Sequence, residues 1–384
     1  GVATKAFPTA LGGIYDIKHI YLRSRGVFTN TAPVDAYRGA GKPEANFITE
    51  RLIETAAKRL KFDPVELRRQ NAIDRFPHTT ALGIQIDTGR FRANITETEQ
   101  LSHRDQFEIR RKSAATQGLL RGLGFGCFLE TARGAPEEGA EIIFANDGKI
   151  ELRLGTESNG QGHETTFSQI ASERLGLPIE NFRFVTADTA LTRIGHGHGG
   201  ARTMHMGGSA FVAALNLVLE KARFIAAQYL QVHENQIKFK AGVFMAGDNP
   251  QSISLEEVAR QADGSLDTFA LVQDAPFTFP GGCHAAEVEV DPETGITDIL
   301  NYYAVDDYGS VINPTFTKGQ VMGGVAQGIG QAMGEHSAYD LNTGQLISGS
   351  LSDYLVPRAA NLSDFEIHFH GSVTRANPLG VKGA

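Results

Sequence analysis

The sequence contains no tryptophan and only two cysteines, Cys127 and Cys283, among its 384 residues. Because these cysteines lie far apart and form no Cys-x-x-Cys motif, they exclude a disulfide framework and a thiolate zinc site. They fit simple burial or a reducing compartment, and we expect a cytoplasmic location. No apolar run approaches ~20 residues, so no transmembrane helix is predicted. The formal net charge of −8 argues against a general nucleic-acid binder.

Glycine is abundant instead, with 43 residues, more than a compact helical protein would use. Hydrophobic residues make up 41% and charged residues 21%, the composition of an ordinary globular protein. The length predicts at least two domains. Strand and helix patterns are mixed without strict βαβ alternation, so the sequence predicts an α+β fold. We place a domain boundary near residue 115, giving domains over 1–115 and 116–384.

Periodicity and turn residues locate the main elements. Strands are predicted in 14–30 (centred on Ile17–Leu22), in 121–129, and in hairpins over 141–154 and 287–305. Helices are predicted in 43–60, 98–115, 164–175, 210–229 and 321–333, and a short helix runs from the N-cap Asp63 to Asn71.

The stretch from Gly155 to Ser209 is the densest in glycine and in polar side chains. Two glycine-rich loops bracket a predicted helix and a predicted strand over 182–186. Glycine lets backbone N–H groups approach a ligand closely, and Gln161, Arg202 and Thr203 suit an anionic, hydrogen-bonding ligand. Tight structural turns are the alternative for either loop alone, whereas the pair indicates a large cofactor.

Four histidines lie near these loops, namely His163, His196, His198 and His205. One interpretation is a metal site, because imidazole is the commonest nitrogen ligand. The pair His196-x-His198 has no third ligand at a familiar spacing, and no His-Glu-x-x-His motif is present. We therefore favour hydrogen bonds to a cofactor, or loop packing, over a protein-ligated metal.

Three further polar features have both a structural and a functional interpretation. Asp306-Asp307 is either a carboxylate pair for acid–base catalysis or a strand end before a turn, and we favour the strand end. Arg38, between glycine-rich residues, could contact an anion. The basic run Arg110-Arg111-Lys112 is interpreted as a solvated helix face.

Six motifs in order resemble the molybdopterin-binding large subunit of the xanthine dehydrogenase/aldehyde oxidase family of molybdenum hydroxylases. They are Ala36-Tyr37-Arg38-Gly39-Ala40-Gly41-Lys42-Pro43-Glu44-Ala45, Gly160-Gln161-Gly162-His163-Glu164-Thr165, Gly199-Gly200-Ala201-Arg202-Thr203, Asp306-Asp307-Tyr308-Gly309 through Asn313-Pro314, Gly319-Gln320-Val321-Met322-Gly323-Gly324 to Gly330, and Asn377-Pro378-Leu379-Gly380-Val381-Lys382-Gly383-Ala384. Each motif alone is weak evidence of kinship, but together they span nearly the whole chain.

The resemblance implies a molybdenum–molybdopterin cofactor in its cytosine dinucleotide form. The implied reaction is hydroxylation of an aldehyde or an N-heteroaromatic carbon, with water as oxygen source and a glutamate as base. It also implies an iron–sulfur (2Fe-2S) subunit and an FAD subunit as electron-accepting partners, and a homodimer of large subunits. In such enzymes the cofactor carries the difficult chemistry while the protein positions and polarises.

The resemblance also implies roles for individual residues. Gln161 would bond the oxo group on molybdenum, and Arg38 and Gly39 would lie beside the metal, which makes Gln161 and Arg38 the implied catalytic residues. The implied cofactor-binding residues are Gln161, Gly162, Arg38, Gly39, Gly199, Gly200, Ala201, Arg202, Thr203, Gln320, Lys382 and Gly383.

The sequence departs from this family pattern at three places. Carbon monoxide dehydrogenases carry a cysteine in the loop that here reads Arg38-Gly39-Ala40-Gly41, so a copper–molybdenum centre is not implied. Xanthine enzymes have a phenylalanine where Ala40 stands, which puts purine specificity in doubt. The general-base glutamate would follow two residues beyond Ala384, and a glycine-rich cofactor loop would precede Gly1.

From these departures we expect the chain to be a fragment that is inactive by itself. We also expect Ala384 to lie near a cavity that Gln161, Arg38 and the 199–203 loop face. Two other functions stay open at this point, a non-catalytic fragment that binds no cofactor and a histidine-ligated zinc protein.

Overall fold

The computed structural model describes residues 1–247 and 251–383. It divides into two compact units, each assembled from two stretches of chain. The first unit holds Gly1–Thr131 and Phe279–Thr374, and the second holds Ala132–Thr278 and Arg375–Gly383. The predicted boundary near residue 115 falls within the first unit. The two domains predicted over 1–115 and 116–384 stay a prediction.

The helices are α1 (Val2–Ala10), α2 (Lys42–Leu60), α3 (Pro64–Asn71), α4 (Phe91–Leu101), α5 (Phe107–Thr116), α6 (His163–Leu175), α7 (Gly208–Tyr229), α8 (Leu255–Gln261) and α9 (Pro314–Met333). The strands are β1 (His78–Thr79), β2 (Gln85–Ile86), β3 (Leu120–Leu129), β4 (Glu137–Phe144), β5 (Ile150–Leu154), β6 (Phe182–Val185), β7 (Ile237–Lys240), β8 (Val243–Ala246), β9 (Ser252–Ser254), β10 (Thr268–Gln273), β11 (Gly281–Val290), β12 (Thr297–Asp307) and β13 (Phe365–Phe369).

The first unit is built on a four-stranded sheet in the order β13-β12-β11-β3, whose only parallel pair is β12–β13. Helix α9 packs its apolar side on this sheet, in a core cluster of Ala304, Val321, Val325, Ile329, Phe365 and Ile367. Within the same sheet, Cys127 and Cys283 lie opposite each other on β3 and β11. Both thiols are free and buried, and burial raises the pKa of the Cys127 thiol.

The second unit repeats this plan on the sheet β10-β4-β5-β6, again with one parallel pair, β5–β6. The long apolar helix α7 packs on β4 and β10, and Phe167 of α6 joins it through an edge-to-face contact with Phe211, 5.2 Å between ring centroids. A smaller sheet, β7-β8-β9, lies in the same unit.

Most of the predicted elements are confirmed, and the α+β class with them. The predicted hairpins are the antiparallel pairs β4–β5 and β11–β12. Asp63 caps α3, because its carboxylate accepts from the N–H groups of Val65 and Glu66, both at 2.9 Å. The predicted helix over 98–115 is the end of α4 and all of α5, separated by a turn in which His103 has a φ of 45°.

The strand predicted in residues 14–30 is wrong. Residues 16–37, here called the extended segment, form neither a helix nor a strand. Several of their apolar side chains are exposed: Tyr21 is 90% exposed and Val34 is 82% exposed. A strand needs a neighbouring strand for its backbone hydrogen bonds, and local composition cannot show whether one is present.

Among the described helices, none is both long enough and apolar enough to cross a membrane.

Candidate functional site

The two glycine-rich loops of the second unit lie against each other. We call residues 155–162 the first loop and residues 195–202 the second loop. Gly155 and Gly195 are in backbone contact, so a Cβ added at Gly155 would collide with the Ile194 carbonyl oxygen and the Gly195 Cα. Only glycine permits this approach, which explains the residue type at both positions.

Side chains join the loops on either side of that contact. The hydroxyl of Thr156 lies 2.7 Å from that of Thr203, and both residues are buried. Farther along, His198 Nδ1 lies 2.9 Å from the Glu157 carboxylate. The first loop and the second loop are therefore held together by one buried and one partly exposed hydrogen bond.

The first loop fixes the orientation of Gln161. Its Oε1 accepts from the Asn159 backbone N–H and lies 3.5 Å from the Ser158 hydroxyl. Because a backbone N–H can only donate, the oxygen of the carboxamide must face it, and Nε2 must face away. Nε2 has no hydrogen-bond partner within residues 1–247 and 251–383 and is free to donate to a ligand.

Helix α6 begins directly after Gln161. Its N-cap, Gly162, has a φ of 76°, and no side chain in the described part of the chain caps this 13-residue helix. The first N–H groups of such a helix are unpaired and carry the positive end of its dipole. A Cβ at Gly160 or Gly199 would meet no described atom within 4 Å, so both loops border open space.

Arg202 is directed inward. Its side chain is fully buried, pairs with Glu138, and donates to the carbonyl oxygens of Glu137 and Gly197, the latter at 3.1 Å. Burial raises the pKa of Glu138, and the Arg202 guanidinium acts in the opposite direction. On the open side of the second loop, a ligand would therefore meet backbone atoms and not the Arg202 guanidinium.

Two buried donors of the second loop region remain unpaired within the described residues, Nε of Arg133 and Nε of Arg202. Arg202 Nε lies near Gly134, where an added Cβ would come 3.3 Å from it and would collide with the Gly199 carbonyl oxygen. Both nitrogens are buried, so they do not face the open side of the second loop.

The segment at 381–383 borders the same loop. The Thr278 hydroxyl donates to the Lys382 carbonyl oxygen at 2.7 Å, and Lys382 is buried. Gly383 has a φ of 86°, and a Cβ there would come 2.8 Å from the Ala201 carbonyl oxygen. Gly383 thus lies beside Ala201, whereas Ala384 lies outside the described residues.

The histidines do not form a metal site in the part of the chain that the structure describes, where no group of three ligating side chains is found. His196 pairs with Glu137 at 3.2 Å, and His163 lies 3.1 Å from the Glu157 carbonyl oxygen. His205 bonds the Pro276 carbonyl oxygen at 2.8 Å. Each histidine therefore has a local partner, which agrees with the loop-packing interpretation.

The first unit carries a smaller group of the implied residues. Arg38 is exposed, and its Nη2 donates to the Gln320 carbonyl oxygen of α9 at 2.7 Å. The guanidinium lies over Gly323 and Gly324, where an added Cβ would come within 3.3–3.6 Å of it. Glycine on this face of α9 makes room for Arg38, and so brings Arg38, Gly39 and Gln320 together.

Asp306 and Asp307 are buried, and their contacts stabilise the end of β12 and the turn after it. Asp306 accepts from His284 Nε2 at 2.9 Å and from the Tyr308 hydroxyl at 3.1 Å. Asp307 accepts from the N–H groups of Gly309 and Ser372 at 3.0 and 2.8 Å. Both carboxylates hold a strand end and its turn, which is the interpretation favoured from the sequence.

Some tertiary contacts cannot be predicted from the sequence. Arg110, predicted on a solvated face, bonds the buried carboxylate of Glu287 at 2.8–3.1 Å. No pattern in the sequence indicates Glu138 or Glu157, because the first is one of several alternating strand residues and the second is a polar loop residue. Nothing in their spacing marks Cys127 and Cys283 as neighbours either, since the register of β3 on β11 decides it.

Comparison with known families and proteins agrees with the sequence resemblance. Models of the molybdopterin cofactor-binding domain match residues 1–72 and residues 97–363. The carbon monoxide dehydrogenase large chain of Hydrogenophaga pseudoflava is 31% identical over 98% of this chain and 51% of its own length. The nicotine 6-hydroxylase large subunit of Paenarthrobacter nicotinovorans is 31% identical over 97% of this chain and 48% of its own.

Solved structures give the same result. Quinoline 2-oxidoreductase from Pseudomonas putida 86 matches 99% of this chain with a TM-score of 0.91 and 29% identity, over 51% of its own length. The Cu,Mo-CO dehydrogenase matches 90% of this chain with a TM-score of 0.83 and 29% identity, over 47% of its own length. The chain thus spans about half the length of the relatives it matches.

Proposed function

Because the chain belongs to the molybdopterin cofactor-binding family of molybdenum hydroxylase large subunits, we propose that it supplies part of a cofactor site for hydroxylation. The proposed reaction is the hydroxylation, with water, of an aldehyde or an N-heteroaromatic carbon. Electrons would pass to iron–sulfur and FAD partner subunits, in an assembly built on a homodimer. The cofactor, proposed in its cytosine dinucleotide form, would supply the oxidising metal centre.

The observation that carries this proposal is the orientation of Gln161. Its Nε2 is directed away from the Asn159 N–H, beside the uncapped start of α6 and the open space at Gly160. A fixed amide donor next to free backbone N–H groups can stabilise negative charge on a bound group without reorganising. This supports Gln161 as the donor toward the metal end of the cofactor.

The second loop fits the oxygen-rich remainder of the cofactor. Gly199, Gly200 and Ala201 would contact it through their backbone, since the Arg202 side chain is committed to Glu138. Thr203 holds this loop to the first loop through Thr156, and Lys382 and Gly383 would close the other side.

In the first unit, Arg38 and Gly39 would lie beside the metal and Gln320 beside the pterin. The Arg38 bond to the Gln320 carbonyl oxygen supports a shared role for these residues.

The test is Gln161→Ala in the complete enzyme, with molybdenum content and turnover measured on the same preparation. We expect turnover per molybdenum to fall about 100-fold, because loss of one preorganised donor typically costs ~3 kcal/mol. Gln161→Glu, which keeps the length and removes the amide donor, is the matched variant. Equal losses of molybdenum and of activity would instead make Gln161 a residue that only holds the cofactor.

A copper–molybdenum centre is not part of this proposal. Copper(I) prefers a soft thiolate, and the loop at Arg38-Gly39-Ala40-Gly41 has no cysteine, while Cys127 and Cys283 are buried in strands. We expect the complete enzyme to contain no stoichiometric copper and to reduce no dye with carbon monoxide. Copper at one equivalent together with CO-dependent dye reduction would contradict this expectation.

We propose that the chain alone is inactive, because it spans about half the length of the relatives it matches. Aldehyde-dependent dye reduction by the isolated chain, above a heat-killed control, would refute this. Molybdenum and pterin analysis of the chain beside the complete enzyme separates a cofactor-binding fragment from one that keeps only the fold.

A further inference from the structure

The polar side chains that join the two loops also reach Gln161. His198 Nδ1 lies 2.9 Å from Glu157 Oε1, and the Asn159 side-chain nitrogen lies 3.5 Å from His198 Nε2 and 3.4 Å from its Nδ1. Asn159 in turn is the residue whose backbone N–H holds Gln161 Oε1. The contacts therefore run from Glu157 through His198 and Asn159 to Gln161.

We infer that Glu157 and His198 are positioning residues for Gln161, holding Asn159 so that the Gln161 amide points its Nε2 at the ligand. This inference rests on the proposed role of Gln161 and adds two residues that act through it. Neither Glu157 nor His198 belongs to the six motifs that carry the family resemblance.

The chemistry of the pair fixes one ring orientation. An ionised carboxylate only accepts, so His198 must donate from Nδ1 to Glu157. Nε2 is then the ring nitrogen that can accept from the Asn159 side-chain nitrogen, 3.5 Å away. The carboxylate thereby sets both the tautomer and the plane of the imidazole, as carboxylates do for functional histidines elsewhere. A fixed ring beside Asn159 restricts the rotation of its side chain, and with it the loop segment that presents the Asn159 N–H.

The need for such support follows from the shape of an amide. The oxygen and nitrogen of Gln161 are nearly the same size, so a flip of the carboxamide costs only its hydrogen bonds. The Asn159 N–H decides between the two orientations, since only the oxygen can accept from it. If the loop shifts, Nε2 and Oε1 exchange places and the donor toward the ligand is lost.

His196, two residues before His198 in the second loop, serves as a matched control. His196 pairs with Glu137 at 3.2 Å, and its side chain is 40% exposed, against 38% for His198. In the part of the chain that the structure describes, His196 makes no hydrogen bond to Asn159 or Gln161, so its substitution measures the cost of losing an exposed histidine–carboxylate pair alone. Such pairs contribute little to stability by themselves, about 0–1 kcal/mol.

The first experiment uses the 384-residue chain without cofactor. The side-chain amide of Gln161, assigned by its loss in Gln161→Glu, is followed by NMR in His198→Ala, His198→Asn and His196→Ala. We expect His198→Ala to shift and broaden this amide signal. His198→Asn, which keeps a donor near the Nδ1 position, is expected to restore the signal, and His196→Ala to leave it unchanged. An unchanged signal in His198→Ala, or an equal change in His196→Ala, overturns the inference.

The second experiment measures turnover per molybdenum in the complete enzyme. We expect His198→Ala and Glu157→Gln to lower it about tenfold at constant molybdenum content, the size typical of partners that orient a functional group. His196→Ala should stay at the wild-type value. If Gln161→Ala lowers turnover but His198→Ala does not, the inference fails while the proposed function stands. If Gln161→Ala itself has no effect on turnover, the proposed function fails, and the NMR result still decides whether the pair positions Gln161.

Discussion

Arg38 in the first unit and Arg202 in the second unit both lie in glycine-rich loops, but their side chains have opposite environments. Arg38 in the first unit is exposed and makes one short bond to the backbone of α9. Arg202 in the second unit is fully buried and is paired with Glu138. The comparison shows that glycine beside arginine does not by itself indicate anion binding, because burial and pairing decide what the guanidinium can contact.

The sharpest way to break this comparison is Arg202→Met. The change leaves Glu138 buried without its partner, and removal of one member of a buried pair typically costs about 3–5 kcal/mol of unfolding free energy. Urea unfolding of the chain measures the loss. Combining Arg202→Met with Glu138→Gln should recover a large part of it, because the unpaired charge is then gone. A loss below ~1 kcal/mol in the single variant would mean that the pair is open to water.

A smaller loss is expected where the two loops are joined. Thr156→Val removes the partner of the Thr203 hydroxyl and leaves it buried and unsatisfied, which typically costs about 1–2 kcal/mol. Replacing both threonines by valine should be closer to neutral, since no polar group is then left without a partner. Thermal unfolding of the two variants and the wild type tests this order, and a double variant less stable than the single one would contradict it.

Arg38→Met is expected to change the unfolding free energy by no more than about 0.5 kcal/mol, as is usual for exposed substitutions. Its effect should appear instead in the complete enzyme, as a loss of turnover or of bound molybdenum. The same urea titration used for Arg202 supplies the measurement. Destabilisation equal to that of Arg202→Met would remove the distinction between the two arginines.

The smallest expected effect is a pH dependence carried by His163 in the second unit. Burial lowers the pKa of this imidazole, so the folded state disfavours its protonation. Its contribution to stability is therefore complete above the ordinary value of 6.5 and declines as the pH falls below it. Unfolding of His163→Gln should show a weaker loss of stability between pH 7.5 and 5.5 than wild type. An identical pH profile would show that His163 does not contribute.

The sequence predictions succeeded where an element depends on local interactions and failed where it depends on a distant partner. Helices α6, α7 and α9 and the two hairpins depend on local periodicity and turn residues, which the sequence carries directly. The extended segment was misassigned because β-propensity in Ile17–Leu22 cannot reveal a missing strand partner.

For the candidate site, too, the motifs predict which residues take part but not which partners they contact. The motifs located Gln161 and the second loop, but not the direction of the Arg202 side chain, which depends on Glu138 in β4. Nor could they link Glu157 to His198, because a contact between two loops depends on how both fold. Burial and partner choice are tertiary properties, and a single sequence contains them only implicitly.

The extended segment has a consequence for how this chain behaves at high concentration. Exposed side chains such as Tyr21, Val34 and Phe28 can attract those of a second molecule, while the net charge of −8 keeps molecules apart. The repulsion is screened by salt and the apolar attraction is not, since the Debye length shrinks to about 3 Å at 1 M. Colloidal stability should therefore be greatest at low ionic strength, and light scattering should rise as salt is added.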